Sequence, residues 1–159
     1  MKSLKEKYNK IEKVVISTGI GSKKDDKVKI EAIEKSLILI TGQKPKINKA
    51  KKSIASFKLR QGMPIGYSVT LRGQRMRDFL EKLINITIPR VRDFRGLDPK
   101  LIDGVGNLTI GFKEHIVFPE AGSEDVRSAF GVGVTIVTKV KTKEETLELL
   151  KSIGFRFKK

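Results

Sequence analysis

The chain has 159 residues, 38% of them hydrophobic, and its 34 Lys and Arg against 18 Asp and Glu give a formal net charge of +16, which at this length predicts one basic domain over residues 1–159. Without any cysteine, and with His115 as the single histidine, disulfides, thiolate ligands and a histidine-rich metal site are excluded, so no metal or cofactor is expected. A charged N-terminus and the lack of an apolar run of ~18 residues predict a soluble, cytoplasmic protein with neither signal peptide nor membrane span.

The first predicted elements are a strand and a helix. β-Branched residues crowd residues 11–18, and the run ends at Gly19 and Gly21, which predicts a strand followed by a turn. Ser22 is placed to cap the following helix, whose apolar residues recur at helical spacing until Gly42 ends it.

A long hairpin is predicted next. Apolar and polar residues alternate over residues 54–59 and again over residues 67–72, the pattern of half-buried strands. The connecting tip, residues 60–66, is basic and contains glycine and proline. If the polar side of this hairpin faces outward, it offers hydroxyls and cations together, a combination suited to phosphates and ribose 2′-hydroxyls.

The second half of the chain predicts a helix, an irregular segment and two strands. Apolar residues at helical spacing over residues 76–84 predict a second amphipathic helix that ends before Pro89. Residues 90–107 read as irregular because of their glycines and proline, and residues 108–112 and 132–140 read as strands.

A last helix completes an α+β domain. Thr142 and Glu145 form a capping box for this helix, which runs through Ile153. Strands joined by a hairpin and interleaved with helices predict a mostly antiparallel sheet with the helices packed on one face and a long basic β-hairpin loop.

The charge is concentrated in one block. Residues 35–77 contain eleven Lys or Arg and no Asp or Glu. A solvated surface run is the ordinary explanation for excess lysine, but a block without any carboxylate is costly through self-repulsion unless a polyanion faces it. No helix suited to the DNA major groove carries this charge, and no amphipathic helix with aromatic anchors suits a membrane. RNA is therefore the favoured partner.

Two weaker motifs are interpreted as structural. The turn at residues 18–22 lies between a strand and a helix and could bind an anion, but it matches neither the dinucleotide fingerprint nor the P-loop. His115, beside Glu114 and with Asp103 nearby in sequence, could be drawn as a general base, yet no nucleophile motif accompanies it. The chain is accordingly predicted not to be an enzyme.

Six blocks follow one another along nearly the whole chain: TGQKPKINKAKKS at residues 41–53, FKLRQGMPIG at 57–66, VTLRG at 69–73, PRVRDFRGL at 89–97, DGVGN at 103–107 and FPE at 118–120. Together they resemble the bacterial-type large-subunit ribosomal protein L five family. The chain departs from the family pattern in the shortened N-terminal segment before residue 11. This truncation and the Lys- and Ile-rich usage would suit an organelle ribosome or a reduced-genome origin.

The resemblance implies a structural, non-catalytic role and a set of partners. Members bind 5S rRNA and large-subunit rRNA in the central protuberance, contact P-site tRNA through the hairpin tip, and approach small-subunit protein S thirteen across an intersubunit bridge, beside other central-protuberance proteins. For the present chain, the tRNA-contacting loop would be Arg60, Gln61, Gly62, Met63, Pro64 and Ile65.

The residues expected to bind rRNA divide into two groups. Gln43 and Thr70 match the family's 5S rRNA-binding positions unchanged, whereas Ser17 replaces the usual Asn, and Lys46 and Asn48 stand where the pattern usually has an apolar residue and a Thr, which alters the hydrogen bonds of the interface. Cations would neutralise phosphates. The full set is Lys13, Ser17, Gln43, Lys44, Lys46, Asn48, Lys49, Lys51, Lys52, Thr70, Arg72 and Arg75. The alternative is a regulatory RNA-binding module that acts away from the ribosome.

Overall fold

The computed structural model describes residues 2–21, 27–121 and 129–158. Five strands form one sheet in the order β2-β3-β1-β5-β4, and every neighbouring pair is antiparallel. This confirms the predicted α+β class. The elements are α1 Lys2–Asn9, β1 Ile11–Gly19, α2 Lys27–Thr41, β2 Lys46–Lys49, β3 Pro64–Leu71, α3 Gly73–Lys82, β4 Leu108–Phe112, β5 Val132–Thr138 and α4 Lys143–Ile153.

Alternation along the strands separates the sheet into two faces. In β1, Val14 and Ile16 are fully buried while Ser17 between Ile16 and Thr18 is exposed. The same alternation in β3, β4 and β5 places their apolar residues on the side of Val14 and Ile16. These residues share one core cluster with the apolar stripes of α2, α3 and α4, so the helices cover this face.

Two predicted helix ends are confirmed by their geometry. Thr142 Oγ1 accepts a hydrogen bond from the Glu145 amide at 3.4 Å, which caps α4 at its first turn. Gly42 follows the end of α2 at φ +67°, a conformation that glycine adopts without strain. The predicted cap of α2, Ser22, lies outside the described residues.

The predicted first strand of the hairpin, residues 54–59, is wrong. Ala55–Phe57 forms a 3-10 turn, and Ile54 and Leu59 pair only with each other. The partner of β3 is instead β2, Lys46–Lys49. Phe57 alternates with Ala55 and Leu59 in sequence, but the residue is 65% exposed, so the alternation did not mark a core.

The second helix, α3, ends at Lys82, before Pro89 as predicted, but helical turns continue past its end. After α3 the chain continues through a π-turn, Leu83–Thr87, and a 3-10 turn, Ile88–Arg90. Pro89 stands in the first turn of that 3-10 helix, where its missing amide donor costs nothing. Strand β5 ends at Thr138, two residues before the predicted boundary.

Candidate nucleic-acid interface

The sheet face opposite the helices carries small and polar residues. We call this surface the open face. Cross-strand partners in an antiparallel pair point to the same side, so the register defines its members. They are Lys13, Val15, Ser17, Gly19, Lys46, Asn48, Gly66, Ser68, Thr70, Thr109, Gly111, Gly133, Thr135 and Val137.

One row of the open face crosses all five strands. Lys46 lies opposite Ser68, Ser68 opposite Ser17, Ser17 opposite Gly133, and Gly133 opposite Gly111. Its side chains are absent or short in all strands but β2. Another molecule can therefore approach the sheet backbone closely along this row.

Two open-face glycines are not required by the backbone. Gly19 and Gly111 have no positive φ, and a Cβ built on either meets no atom within 4 Å. Glycine inside a strand costs roughly 0.5–1 kcal/mol relative to alanine, and strand glycines often mark places where another molecule approaches closely. Close approach of a ligand backbone would account for both glycines.

Hydroxyl and amide groups are fixed on this surface by bonds to each other. Ser68 Oγ donates to Asn48 Oδ1 at 3.2 Å, and the hydroxyls of Thr109 and Thr135 lie 3.1 Å apart. Each hydroxyl keeps further hydrogen-bonding capacity for a ligand. The open face thus presents donors and acceptors at set positions.

Gln43 is positioned beside the open face rather than on a strand. Its side-chain Nε2 donates to the backbone oxygen of Thr70 at 3.4 Å. Its backbone N–H donates to Thr41 Oγ1 at 3.3 Å. The residues Gln43 and Thr70, which the resemblance implied to act together, are therefore neighbours in the structure.

A register shift adds a cation to the same surface. Between Asn48 and Lys49 the pairing with β3 skips one residue, so Lys49 lies opposite Pro64, on the side of the sheet that Asn48 occupies. Regular alternation would have turned Lys49 to the other side, and irregularities of this kind commonly re-aim a side chain.

Eight cations of the basic block, all of them among the predicted RNA-contacting residues, are not neutralised within the described chain. None of the eight lies within 4 Å of a carboxylate of a described residue. All are exposed, so a polyanion can reach them. This group comprises Lys44, Lys46, Lys49, Lys51, Lys52, Arg60, Arg72 and Arg75.

Three of the predicted cations occupy distinct places. Lys13 lies on the open face, half-buried, and forms an ion pair with the exposed Glu12 at 3.4 Å. Arg72 is the exposed N-cap of α3 and has extended backbone, so it continues the alternation of Thr70. Arg75 lies on α3 in a hollow with Thr41, on the helical side of the domain, and the structure therefore separates it from the open face.

The chain between β2 and β3 forms a loop ordered by its own bonds. We call residues 50–63 the tip loop. The Ala50 amide donates to Met63 O at 2.8 Å, and the Gly62 amide donates to Ala50 O at 2.9 Å, which closes its base. Farther out, Ile54 and Leu59 exchange two backbone hydrogen bonds of 3.0 Å.

The distal end of the tip loop differs from the predicted one. Pro64 and Ile65, assigned to the tRNA-contacting loop, belong to β3, and Met63 is half-buried. The end farthest from the strands is the turn Ala55–Phe57 with Lys58, which adopts φ +49°. It presents an exposed aromatic ring next to a cation, and sequence reasoning missed it because Phe57 was placed in a strand.

The alternative catalytic site is not assembled. His115 is fully buried, and its ring stacks on Phe130 with centroids 4.0 Å apart. The Asp103 carboxylate is used inside its own loop, where it accepts hydrogen bonds from the amides of Asn107 at 2.7 Å and Val105 at 3.0 Å. These bonds, those from Asn107 first, hold the pKa of Asp103 below its usual value.

Sites of two other classes are absent from the described residues. Within residues 2–21, 27–121 and 129–158, no group of three His, Cys, Asp or Glu is arranged to hold a metal ion. Over the same residues, no helix is both long enough and apolar enough to cross a membrane.

Sequence profiles of known families match both halves of the chain. The profile described as ribosomal protein L5 matches residues 8–60, and the profile for the C-terminus of the same ribosomal family matches residues 64–157. The chain belongs to the ribosomal protein L5 family. The boundary between the two profiles falls inside the hairpin, and strands from both sides of it form the single sheet.

Individual relatives agree with this assignment. The chain is similar to the large ribosomal subunit protein uL5 of Halothermothrix orenii, with 53% identity over 93% of the chain and 83% of the relative. It is also similar to the uL5 proteins of Alkaliphilus oremlandii, with 52% identity over 94% and 84%, and Lacticaseibacillus casei, with 53% over 94% and 83%. These relatives are bacterial, and the resemblance read from the six sequence blocks is confirmed.

The family is one of ribosomal proteins, so the L5-family chain is placed among structural, rRNA-binding components of translation rather than among enzymes. The open face and the tip loop are the parts of the chain that fit such a role. Sequence reasoning found the residues of β1, β2 and β3 on this surface but missed Thr109 and Thr135, although the alternation in β4 and β5 could have placed them.

Proposed function

We propose that the chain is a structural constituent of the large ribosomal subunit that binds 5S rRNA and large-subunit rRNA through the open face and the basic cations around it. The proposal depends on one observation: exposed cations without carboxylate partners among the described residues lie beside a sheet face of small and hydroxyl-bearing residues. In this division, cations supply affinity through phosphates, and hydroxyls and amides fix the register of the RNA.

The register-fixing residues lie close together on strands β1, β2 and β3. Ser17 lies opposite Ser68 in the sheet, and Asn48 accepts a hydrogen bond from the Ser68 hydroxyl. These three polar side chains therefore form one patch. Gln43 and Thr70 adjoin it. Side chains that can donate and accept fit the ribose 2′-hydroxyl, which distinguishes RNA from DNA.

The tip loop is the proposed contact with P-site tRNA. It extends from the sheet beyond β2 and β3, and residues 51–58 are all exposed. Phe57 can stack on a nucleotide while Lys58 and Arg60 approach phosphates, a combination common in binding of exposed nucleotides. Arg60 to Met63 would act at the base of the loop rather than at its end.

In the assembled subunit, the chain would lie in the central protuberance beside other proteins of that region, near small-subunit protein S thirteen across the intersubunit bridge. Membership of the L5 family supports these partners.

Two measurements test the proposal. A tagged chain expressed in a bacterium should sediment with large subunits, and RNA recovered with it should be dominated by 5S rRNA and large-subunit rRNA. Recovery of messenger RNA from fractions lighter than subunits would favour the regulatory module instead.

Binding to purified RNAs tests whether the hydroxyl and amide side chains fix the register of the RNA while the cations supply affinity. Thr70→Val keeps the volume of the side chain but removes its hydroxyl, and it should lower affinity for 5S rRNA while leaving binding to an unrelated structured RNA unchanged. Ser152→Ala, which removes an exposed hydroxyl from α4, is the control outside the open face and should leave binding to both RNAs unchanged. Equal losses on both RNAs would contradict a role in register.

A further inference from the structure

A cavity of about 530 Å³ lies beyond the last strand of the open face. It is formed between β4 with the residues after it and the segment that follows the 3-10 turn Ile88–Arg90. Its volume is within the roughly 300–1,000 Å³ of ordinary small-ligand sites. The proposed contacts of the family resemblance include none of its residues.

The lining combines cations with an apolar wall. Arg90, Arg92 and Lys113 are exposed at the cavity, and Glu114 is the one carboxylate among the lining residues. No ion pair joins any of the three cations to a described residue. Three cations against one carboxylate favour an anionic ligand for this cavity.

The apolar part of the lining sets a second requirement. Val91, Ile116 and Val117 are half-buried, so each leaves part of its side chain for contact. A simple inorganic anion would use only the cations. The geometry favours a ligand with an anionic group and a flat or apolar body, and an arginine guanidinium can also stack on such a body.

The cavity is continuous with the open face through Gly111. This glycine ends the row that begins at Lys46, and it also lines the cavity. A strand of RNA that crosses the sheet along this row would arrive at the cavity without meeting a side chain at Gly133 or Gly111. Continuity with that surface favours RNA over an acidic protein segment as the occupant.

We propose that the cavity receives one unstacked nucleotide of the RNA that lies on the open face. Arg90, Arg92 and Lys113 bind its phosphate, and its base packs against Val91, Ile116 and Val117. This inference rests on the proposed RNA-binding function, and it assigns a binding site in β4 and the segment after α3, outside the predicted rRNA-binding residues.

The probes are the four nucleoside 5′-monophosphates, inorganic phosphate and a hexaglutamate peptide, each titrated into the full chain with NMR detection of the valine and isoleucine methyl groups. Nucleotides should shift the signals of Val91, Ile116 and Val117 saturably, and phosphate should bind more weakly and move those methyl groups less. Because no RNA is present, this result is independent of whether the chain binds 5S rRNA.

Two variants with matched controls locate the site. Arg92→Gln should weaken nucleotide binding about fivefold to tenfold, whereas Arg95→Gln, an exposed arginine outside the lining, should leave it unchanged. Gly111→Leu should abolish binding by filling the mouth of the cavity. Gly104→Leu is its control, because a Cβ at Gly104 also meets no atom within 4 Å and its φ is not positive.

Three outcomes would overturn the proposal. The first is that none of the nucleotides shifts the three methyl-bearing residues of the wall. The second is that phosphate or hexaglutamate binds as tightly as the nucleotides, which would indicate an anion site or a protein-binding site. The third is that Arg95→Gln weakens binding as much as Arg92→Gln. Retained RNA binding with any of these results would leave the proposed function intact and reject the cavity alone.

Discussion

Lys82 Nζ lies 2.6 Å from Glu120 Oε1 and connects three segments of the domain. The same ammonium donates to the backbone oxygen of Ile40, in the last turn of α2, at 2.7 Å. It therefore joins α3, the end of α2 and the short helical turn Pro119–Ala121. The side chains are 19% and 31% exposed, so water screens this ion pair only in part.

Lys82→Met should destabilise the fold by about 1–3 kcal/mol, because it leaves Glu120 partly buried without its cation, and Glu120 Oε2 already has no hydrogen-bond partner among the described residues. Urea unfolding measures the change. Lys13→Met is the matched control, since its partner Glu12 is exposed, and it should change the free energy of unfolding by less than about 0.5 kcal/mol. Equal effects of the two variants would show that the partial burial of the Lys82–Glu120 pair adds nothing to its contribution to stability.

Gly106 has to be glycine for two independent reasons. Its φ is +90°, and a Cβ would lie 2.6 Å from Val140 O and 2.6 Å from Thr146 Oγ1. Its own carbonyl accepts hydrogen bonds from Thr138 Oγ1 at 2.7 Å and Thr146 Oγ1 at 3.1 Å, so the loop cannot move away freely. The loop is thereby fixed to β5 and α4.

Gly106→Ala should therefore lower the free energy of unfolding by about 2–4 kcal/mol, as measured by urea denaturation. Gly104→Ala, two residues earlier in the same loop, should change it by less than about 0.5 kcal/mol, because its φ is not positive and the new methyl group meets open space. A similar loss in both variants would contradict the steric argument.

Asp103 gives the stability a dependence on pH. Hydrogen bonds from Asn107, Val105 and Gly106 favour its charged form and lower its folded-state pKa. Its contribution is fully present above the unfolded-state pKa of about 3.9 and is lost as the pH falls through the folded-state pKa.

The measurement compares urea unfolding of the wild type and Asp103→Asn between about pH 7 and pH 2. Wild type should be the more stable at about pH 7, and the difference should shrink below about pH 4. Asn107→Ala, which removes the donor to Asp103 Oδ2 at 3.0 Å, should reduce this pH dependence. A difference between wild type and Asp103→Asn that stays constant over this range would show that the loop does not perturb the carboxyl group.

Most elements of the fold could be predicted because burial imposed their periodicity. The strand β1, the strands β4 and β5 and the capped helix α4 each carried alternation or helical spacing that tertiary contacts reinforce. The helix α1 was not predicted. Its eight residues are mostly polar, with Tyr8 as the one buried residue among those whose side chains are described.

The hairpin was placed wrongly because its true first strand lacks a hydrophobic signal. Lys46–Lys49 has the sequence KINK and lies at the edge of the sheet, where lysine is common and no core contact selects apolar residues. The apolar alternation at residues 54–59 was stronger, but those side chains are largely exposed. The site residues were found despite this error because charge and hydroxyl content are readable without the register, whereas the side each residue occupies is not.

Lys49, Lys51 and Lys52 lie where β2 passes into the tip loop, and their combined replacement by alanine tests the proposed phosphate contacts. The slope of log K against log salt should become shallower by roughly 2–3, since each lost phosphate contact removes about 0.7–0.9. The matched control replaces Lys141, Lys143 and Lys151, three exposed lysines in and just before α4, and lowers the net charge equally. Because both triple variants reduce the long-range attraction alike, only a local contact can make their salt slopes differ. Identical slopes would show that net charge, rather than the open face and its cations, accounts for RNA binding.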